Sequence, residues 1–166
     1  MLAPVLVDVS RDAGRARTLA LAVPVALLGG ALLSEYVGGL YPCEMCWWQR
    51  YPHAVAIVLA GAAFTAAVSS SRARALTGLA AAAIAVSGAI GAFHAGVEYG
   101  WWEGLTRCTS GGPVSLDDIL SVPLVRCDQP EWTFGGISLA GFNAILSLAA
   151  AALIGGLLMR SHEVKR

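Results

Sequence analysis

Charge is scarce in this 166-residue chain: Asp, Glu, Lys and Arg make up 13% of it, against a hydrophobic share of 57%. That balance is too apolar for an ordinary soluble domain. The 11 basic and 11 acidic residues cancel to a formal net charge of zero, so nothing points to nucleic acid or to a strongly charged substrate. There is no internal repeat, and no low-complexity tract beyond a richness in alanine. A convincing small-x-small cleavage site is also missing after the first hydrophobic segment. Ser34-Glu35-Tyr36-Val37 argues for a retained helix, although Gly38-Gly39 keeps a cleaved signal peptide as the competing reading. Cysteine is limited to four residues, at 43, 46, 108 and 127.

What the chain does have is four long uncharged stretches: 17 residues between Arg17 and Glu35, 21 between Arg50 and Arg72, 23 between Arg74 and Glu98, and 28 between Glu131 and Arg160. Each is long enough, or nearly so, to cross a hydrocarbon core of about 30 Å as a helix. Backbone amides in lipid must be satisfied within the segment, so the expected fold is all-α, a single domain of four transmembrane helices. The expected spans are about 18–38, 49–69, 75–99 and 138–159, preceded by a short basic arm over residues 1–17. A short connection (39–48) and a long one (100–137) then carry all four cysteines on one side. Ser115-Leu116-Asp117-Asp118 reads as a capped helix start, giving a turn or two along the membrane surface that Pro123 ends. Gly96, Gly100 and Gly104, preceded by Gly88 and Gly91, imply close helix packing around the third span.

Lysine and arginine are unevenly placed. Eight of the eleven lie in the N-terminal arm, the 70–74 turn or the C-terminal tail, and only Arg50, Arg107 and Arg126 accompany the cysteines. The positive-inside rule therefore puts both termini in the cytoplasm and the cysteines outside, where disulfides are expected. Cys43 and Cys46 precede the second span, so its positive end points toward Cys46, and Arg50 lies one turn along on the same face. Both effects are expected to lower the Cys46 thiol pKa and make the pair redox-active. Arg50 as a mere interfacial anchor is the alternative. A purely structural Cys43–Cys46 bridge would close too short a loop to add much stability. Cys108 and Cys127 are the other local pair. Their alternative reading is a staple worth about 3 kcal/mol to a long loop. Zinc binding by the four thiolates is a further alternative, weakened because only one pair has close ligand spacing.

Pro42-Cys43-Glu44-Met45-Cys46-Trp47-Trp48-Gln49-Arg50 resembles the signature of the disulfide bond formation protein B (DsbB) family of quinone-linked thiol oxidases. Phe93-His94, Glu98-Tyr99-Gly100-Trp101, Cys108 and the run Cys127-x4-Trp132-x3-Gly136 extend the resemblance across nearly the whole chain. The Cys-x-x-Cys pair comes before the loop cysteines, opposite to the order in vitamin K epoxide reductase relatives. Position 49 is glutamine rather than glutamate. The resemblance implies a protein of the bacterial inner membrane whose cysteines face the periplasm. It implies an electron relay in which a soluble DsbA-like oxidase, once reduced, attacks Cys108. Cys127 is then freed to attack Cys43, and Cys46 passes two electrons to ubiquinone or menaquinone. Arg50 would hold a quinone carbonyl, and His94 matches a histidine near the quinone, though it could equally be a packing residue. His53 has no role in the pattern. The rival readings are a vitamin K epoxide reductase-like relay and a non-enzymatic, disulfide-stapled membrane subunit.

Overall fold

Four helices form where the uncharged stretches lie. The structure, a computed structural model, describes residues 3–106 and 125–163, the side chains of 3–9 and 162–163 excepted. Cys108 and the short helix expected near 115–120 therefore lie outside the described residues. The helices are α1 (Ala3–Tyr36), α2 (Glu44–Ala63), α3 (Ser71–Glu98) and α4 (Leu139–Glu163). A two-residue hairpin, β1 (Thr133–Phe134) and β2 (Ile137–Ser138), turns through Gly135 and Gly136 and leads into α4. Both turn glycines have positive φ, as a tight two-residue hairpin requires. α1 and α3 each pack against α2 and α4.

Three boundaries differ most from expectation, the start of α1 and both ends of α2. The arm over residues 1–17 is not separate, because α1 begins at Ala3 and runs straight through it. Ala13 and Ala16 are buried there, which gives this stretch a packed face. Conversely α2 starts at Glu44 and ends at Ala63, about one and a half turns earlier than the apolar run suggests. Arg17 accounts for the early stop. Its Nη1 donates to the carbonyls of Ala63 and Ala66 at 3.3 and 3.2 Å, and its guanidinium lies 4.2 Å over the Phe64 ring. A cation from α1 thus takes up carbonyls that a continuing helix would have used. Three helices, Ser10–Tyr36, Ser71–Glu98 and Leu139–Ser161, are long and apolar enough to cross a membrane. α2 falls outside that group because its first half carries Glu44, Gln49, Arg50 and His53.

The packing is inverted relative to a water-soluble protein. The central core is alanine with a few larger groups: Ala16, Ala20, Ala56, Ala60, Ala80 and Ala81 around Ile84 and Ile154. Gln49, Arg50, His53, Ser87, His94 and Ser147 are also buried, whereas Val25, Val55, Val58, Leu79, Val86, Ile145 and Leu153 face outward. Apolar exteriors with small and polar interiors are what lipid as solvent selects. This is a membrane protein.

The glycines of α3 serve separate contacts. A Cβ at Gly88 would meet Leu148 at 2.9 Å, one at Gly91 would meet the Ala140 carbonyl at 2.9 Å, and one at Gly96 would enter the Trp102 ring. Gly91→Ala must push backbone against backbone and is expected to cost about 1–3 kcal/mol. Gly78→Ala, whose Cβ would meet only Leu158 at 3.9 Å, is the control. Thermal unfolding in detergent should show a lower melting temperature for the first and little change for the second.

Candidate redox site

The site forms where the link after α1 becomes α2. Cys43 follows Pro42 with extended backbone (φ −73°, ψ 175°) and is the N-cap of α2. Its sulfur takes the place of a capping oxygen and accepts the Cys46 N–H at 3.3 Å. The helix therefore begins earlier than the spacing suggests, and Cys46 lies inside its first turn. The two Sγ atoms are 3.2 Å apart, and both residues are thiols.

Cys127 reaches Cys43 from the other connection. It is fully buried in a cluster with Cys43, Met45 and Val97, and its thiol side chain hydrogen-bonds with that of Cys43. Thr106 donates to its sulfur at 3.4 Å. Cys43 thus has two sulfur neighbours. Hydrogen bonding with Cys127 and then Cys46, together with burial, pushes the Cys43 thiol well above its ordinary range. In this arrangement Cys43 is the thiol that keeps its proton.

A buried polar network backs the sulfurs. His94 Nε2 lies 3.6 Å from Cys43 Sγ and 3.7 Å from Glu98 Oε1, and the Cys127 backbone also hydrogen-bonds to the ring. His94 Nδ1 meets Gln49 Nε2 at 2.9 Å. Gln49 Oε1 accepts from Asn143 Nδ2 at 2.8 Å, and Asn143 Oδ1 lies 2.9 Å from His53 Nε2. Ser147 donates to Asn143 Oδ1 at 2.9 Å, and Ser87 donates to the Gln49 carbonyl at 2.8 Å. Glu98 accepts a hydrogen bond from Ser138, whose hydroxyl also takes the Gly141 N–H at 3.1 Å at the start of α4.

Arg50 is buried rather than splayed into an interface. Its Nη1 pairs with Glu35 of α1, Nη2 donates to the Ala31 carbonyl at 3.1 Å, and the guanidinium lies 4.8 Å over the Trp47 ring. Cys46, Gln49, Arg50, His53 and His94 all face one cavity of about 290 Å³. Cys43 and Glu98 also border it, and its other walls come from residues 26–34 of α1, residues 139–143 of α4, residues 40–42, and Val125, Arg126, Gln129, Glu131 and Trp132. An apolar chamber with a few converging polar groups has the makeup of a small-molecule site.

The structure thus brings together Cys43, Cys46, Cys127, Arg50 and His94; Cys108 lies outside the described residues. Sequence reasoning passed over Glu35, Asn143, Ser87 and Thr106, and gave Gln49 and His53 no partner. A signal existed for two of these. Glu35 is an acid closing an apolar run, and Asn143 is a carboxamide within 28 uncharged residues; polar groups at such depth tend to be functional.

The chain is similar to known proteins over most of its length. The family described as "Disulfide bond formation protein DsbB" matches residues 14–157. Disulfide bond formation protein B of Polaromonas sp. strain JS666 is 34% identical over 159 residues, covering 87% of this chain and 90% of the relative. The protein of the same name from Azoarcus sp. strain BH72 is 28% identical over 148 residues, covering 84% and 88%. That from Polaromonas naphthalenivorans is 32% identical over 147 residues, covering 78% and 84%. No solved structure matches the chain.

Proposed function

The chain belongs to the DsbB family of disulfide bond formation proteins, and we propose from that premise that it is a quinone-dependent protein-thiol oxidase. Its substrate is a reduced, periplasmic DsbA-like oxidase, and its electrons leave to the membrane quinone pool, ubiquinone or menaquinone. The observation that carries this reading is Cys43 between two sulfurs, with Cys46 and Arg50 opening onto one apolar chamber.

Each residue then has a task. Cys108 takes the attack of the partner's thiolate, and Cys127 is released to attack Cys43. Cys43 receives that attack behind Cys46, and Cys46 faces the cavity as the last sulfur. Arg50 is placed to hold a ring oxygen, and His94 lies where the ring and the sulfurs meet. The quinone, when bound, supplies a two-electron acceptor. The residues present suit such a ring: the walls on α1 and α4 are apolar, and the buried guanidinium is a permanent donor. Arg50 and Glu35, paired in advance, keep that donor in position before any ligand arrives. The test is loss of ubiquinone-1 absorbance when purified protein is given a reduced DsbA-like thiol protein. Turnover is expected, and its absence with a well-folded chain would sink the reading.

The same proposal places all four helices across the bacterial inner membrane with the redox end outward. The ends of α1 and α3 and the starts of α2 and α4 share the redox end, while Arg17, Arg72 and Arg74 lie at or near the opposite helix ends. After reduction, a membrane-impermeant maleimide is expected to label cysteines in intact cells. Labelling only after lysis would reverse the orientation.

A further inference from the structure

Two backbone carbonyls determine where the proton on His94 sits. A carbonyl can only accept, so Gln49 Nε2, 3.1 Å from the Met45 carbonyl, marks the NH2 end of that amide. Asn143 Nδ2 meets the Ser87 carbonyl at 3.2 Å and is the NH2 end by the same rule. Gln49 Oε1 therefore accepts from Asn143, and Gln49 Nε2 donates to His94 Nδ1. That ring nitrogen must bear a lone pair, and the neutral ring carries its proton on Nε2. His53 obeys the same logic. Its Nε2 donates to Asn143 Oδ1, and its Nδ1, left bare, is one of two buried side-chain nitrogens without a hydrogen-bond partner among the described residues.

The His94 Nε2–H has three acceptors around it: the Cys127 backbone, to which the ring hydrogen-bonds, Cys43 Sγ at 3.6 Å and the Glu98 carboxyl at 3.7 Å. It also stands in the way of a metal. Cys43 Sγ, Cys46 Sγ and His94 Nε2 lie within 4.8 Å of one another, yet the nitrogen a metal would need already holds a proton.

We propose that His94, fixed as the Nε2–H tautomer by the positioning residues Gln49 and Asn143, is the hydrogen-bond donor to the Cys43 sulfur during thiol exchange. This rests on the relay reading for the step it serves. In that step an incoming thiolate attacks Cys127 Sγ of a Cys43–Cys127 bridge. The new sulfur–sulfur bond forms, the old one breaks, and Cys43 leaves with the electron pair. One thiolate enters and one departs, and His94 donates to the one that departs.

Two measurements test this on the full chain in detergent. Nitrogen NMR of histidine-labelled protein is expected to show His94 with a bare Nδ1 and a protonated Nε2. In a Cys46→Ala background, where a Cys43–Cys127 bridge is expected to persist once formed, dithiothreitol should open that bridge roughly tenfold more slowly after His94→Leu, the loss of one hydrogen bond to a charged group. His94→Gln, which keeps an N–H, should recover part of the rate. A protonated Nδ1, failure of the bridge to form, or equal opening rates would each overturn the proposal. Failure of the wild-type chain to reduce ubiquinone-1 would count against the oxidase reading and leave the tautomer and bridge-opening results standing.

Discussion

Cys46→Ala is expected to end quinone reduction while leaving the upstream sulfurs reactive. Both sulfurs border the cavity, but Cys46 is the more exposed of the two and lies one turn from Arg50, whereas Cys43 is buried against Cys127 and His94. Without Cys46 the sulfur one turn from Arg50 is gone, and a Cys43–Cys127 bridge loses the thiol that lies 3.2 Å from Cys43 and would resolve it there. The drop in turnover should be on the order of a thousandfold or more, since deleting a single nucleophile elsewhere costs up to about 10⁶-fold. Ubiquinone-1 absorbance with reduced partner in excess measures the loss. Non-reducing gels after cleavage between residues 46 and 127 should show the two segments still joined. Undiminished turnover in Cys46→Ala would move the terminal sulfur to another residue.

Arg50→Gln should cost about a hundredfold in quinone reduction, the effect of losing one preorganised donor of roughly 3 kcal/mol. The structure adds a second cost. Arg50 is 8% exposed and pairs with Glu35, so its removal strands a largely buried carboxylate, a change typically worth about 3–5 kcal/mol. Arg50→Gln alone therefore mixes a lost donor with a destabilised helix pair. Adding Glu35→Gln removes the stranded charge. The double variant should regain much of the melting temperature and little of the turnover. Arg50→Lys keeps the charge but not the planar fork, so it should recover only part of the rate. If the double variant reduced quinone as well as wild type at every concentration, Arg50 would be a structural partner of α1 and the ring would lie elsewhere.

The helices were legible because lipid imposes length and apolarity, and both are local properties of sequence. Their boundaries were not, because tertiary groups set them. The end at Ala63 is capped from two sides, by Thr65, whose hydroxyl donates to the Ala62 carbonyl, and by Arg17 on another helix, 46 positions from Ala63, which no local pattern reveals. The arm at 1–17 was misread for a related reason. Its charges suggest solvation, but Ala13 and Ala16 supply a buried face that charge counting overlooks. The four cysteines and Arg50 carried a recognisable spacing, and the described members lie close together in the structure. Glu35, Gln49, Asn143 and Ser87 did not, because a carboxamide or serine acquires meaning only from the groups placed opposite it.

Asn143 also bears on how the helices find their alignment. It touches Gln49 and His53 on α2, Ser87 on α3 and Ser147 on its own helix. A core of alanine offers few ridges to distinguish one register from the next, and in lipid no hydrophobic force favours one contact over another. Sliding α4 by a turn would keep alanine against alanine but leave several amide and imidazole groups unmatched where water cannot replace their partners. Interhelical hydrogen bonds in membranes average about 0.6 kcal/mol each, so the penalty for slippage accumulates over the set. The polar centre thereby acts as a vernier for assembly, selecting the one alignment of these smooth helices in which every amide is matched.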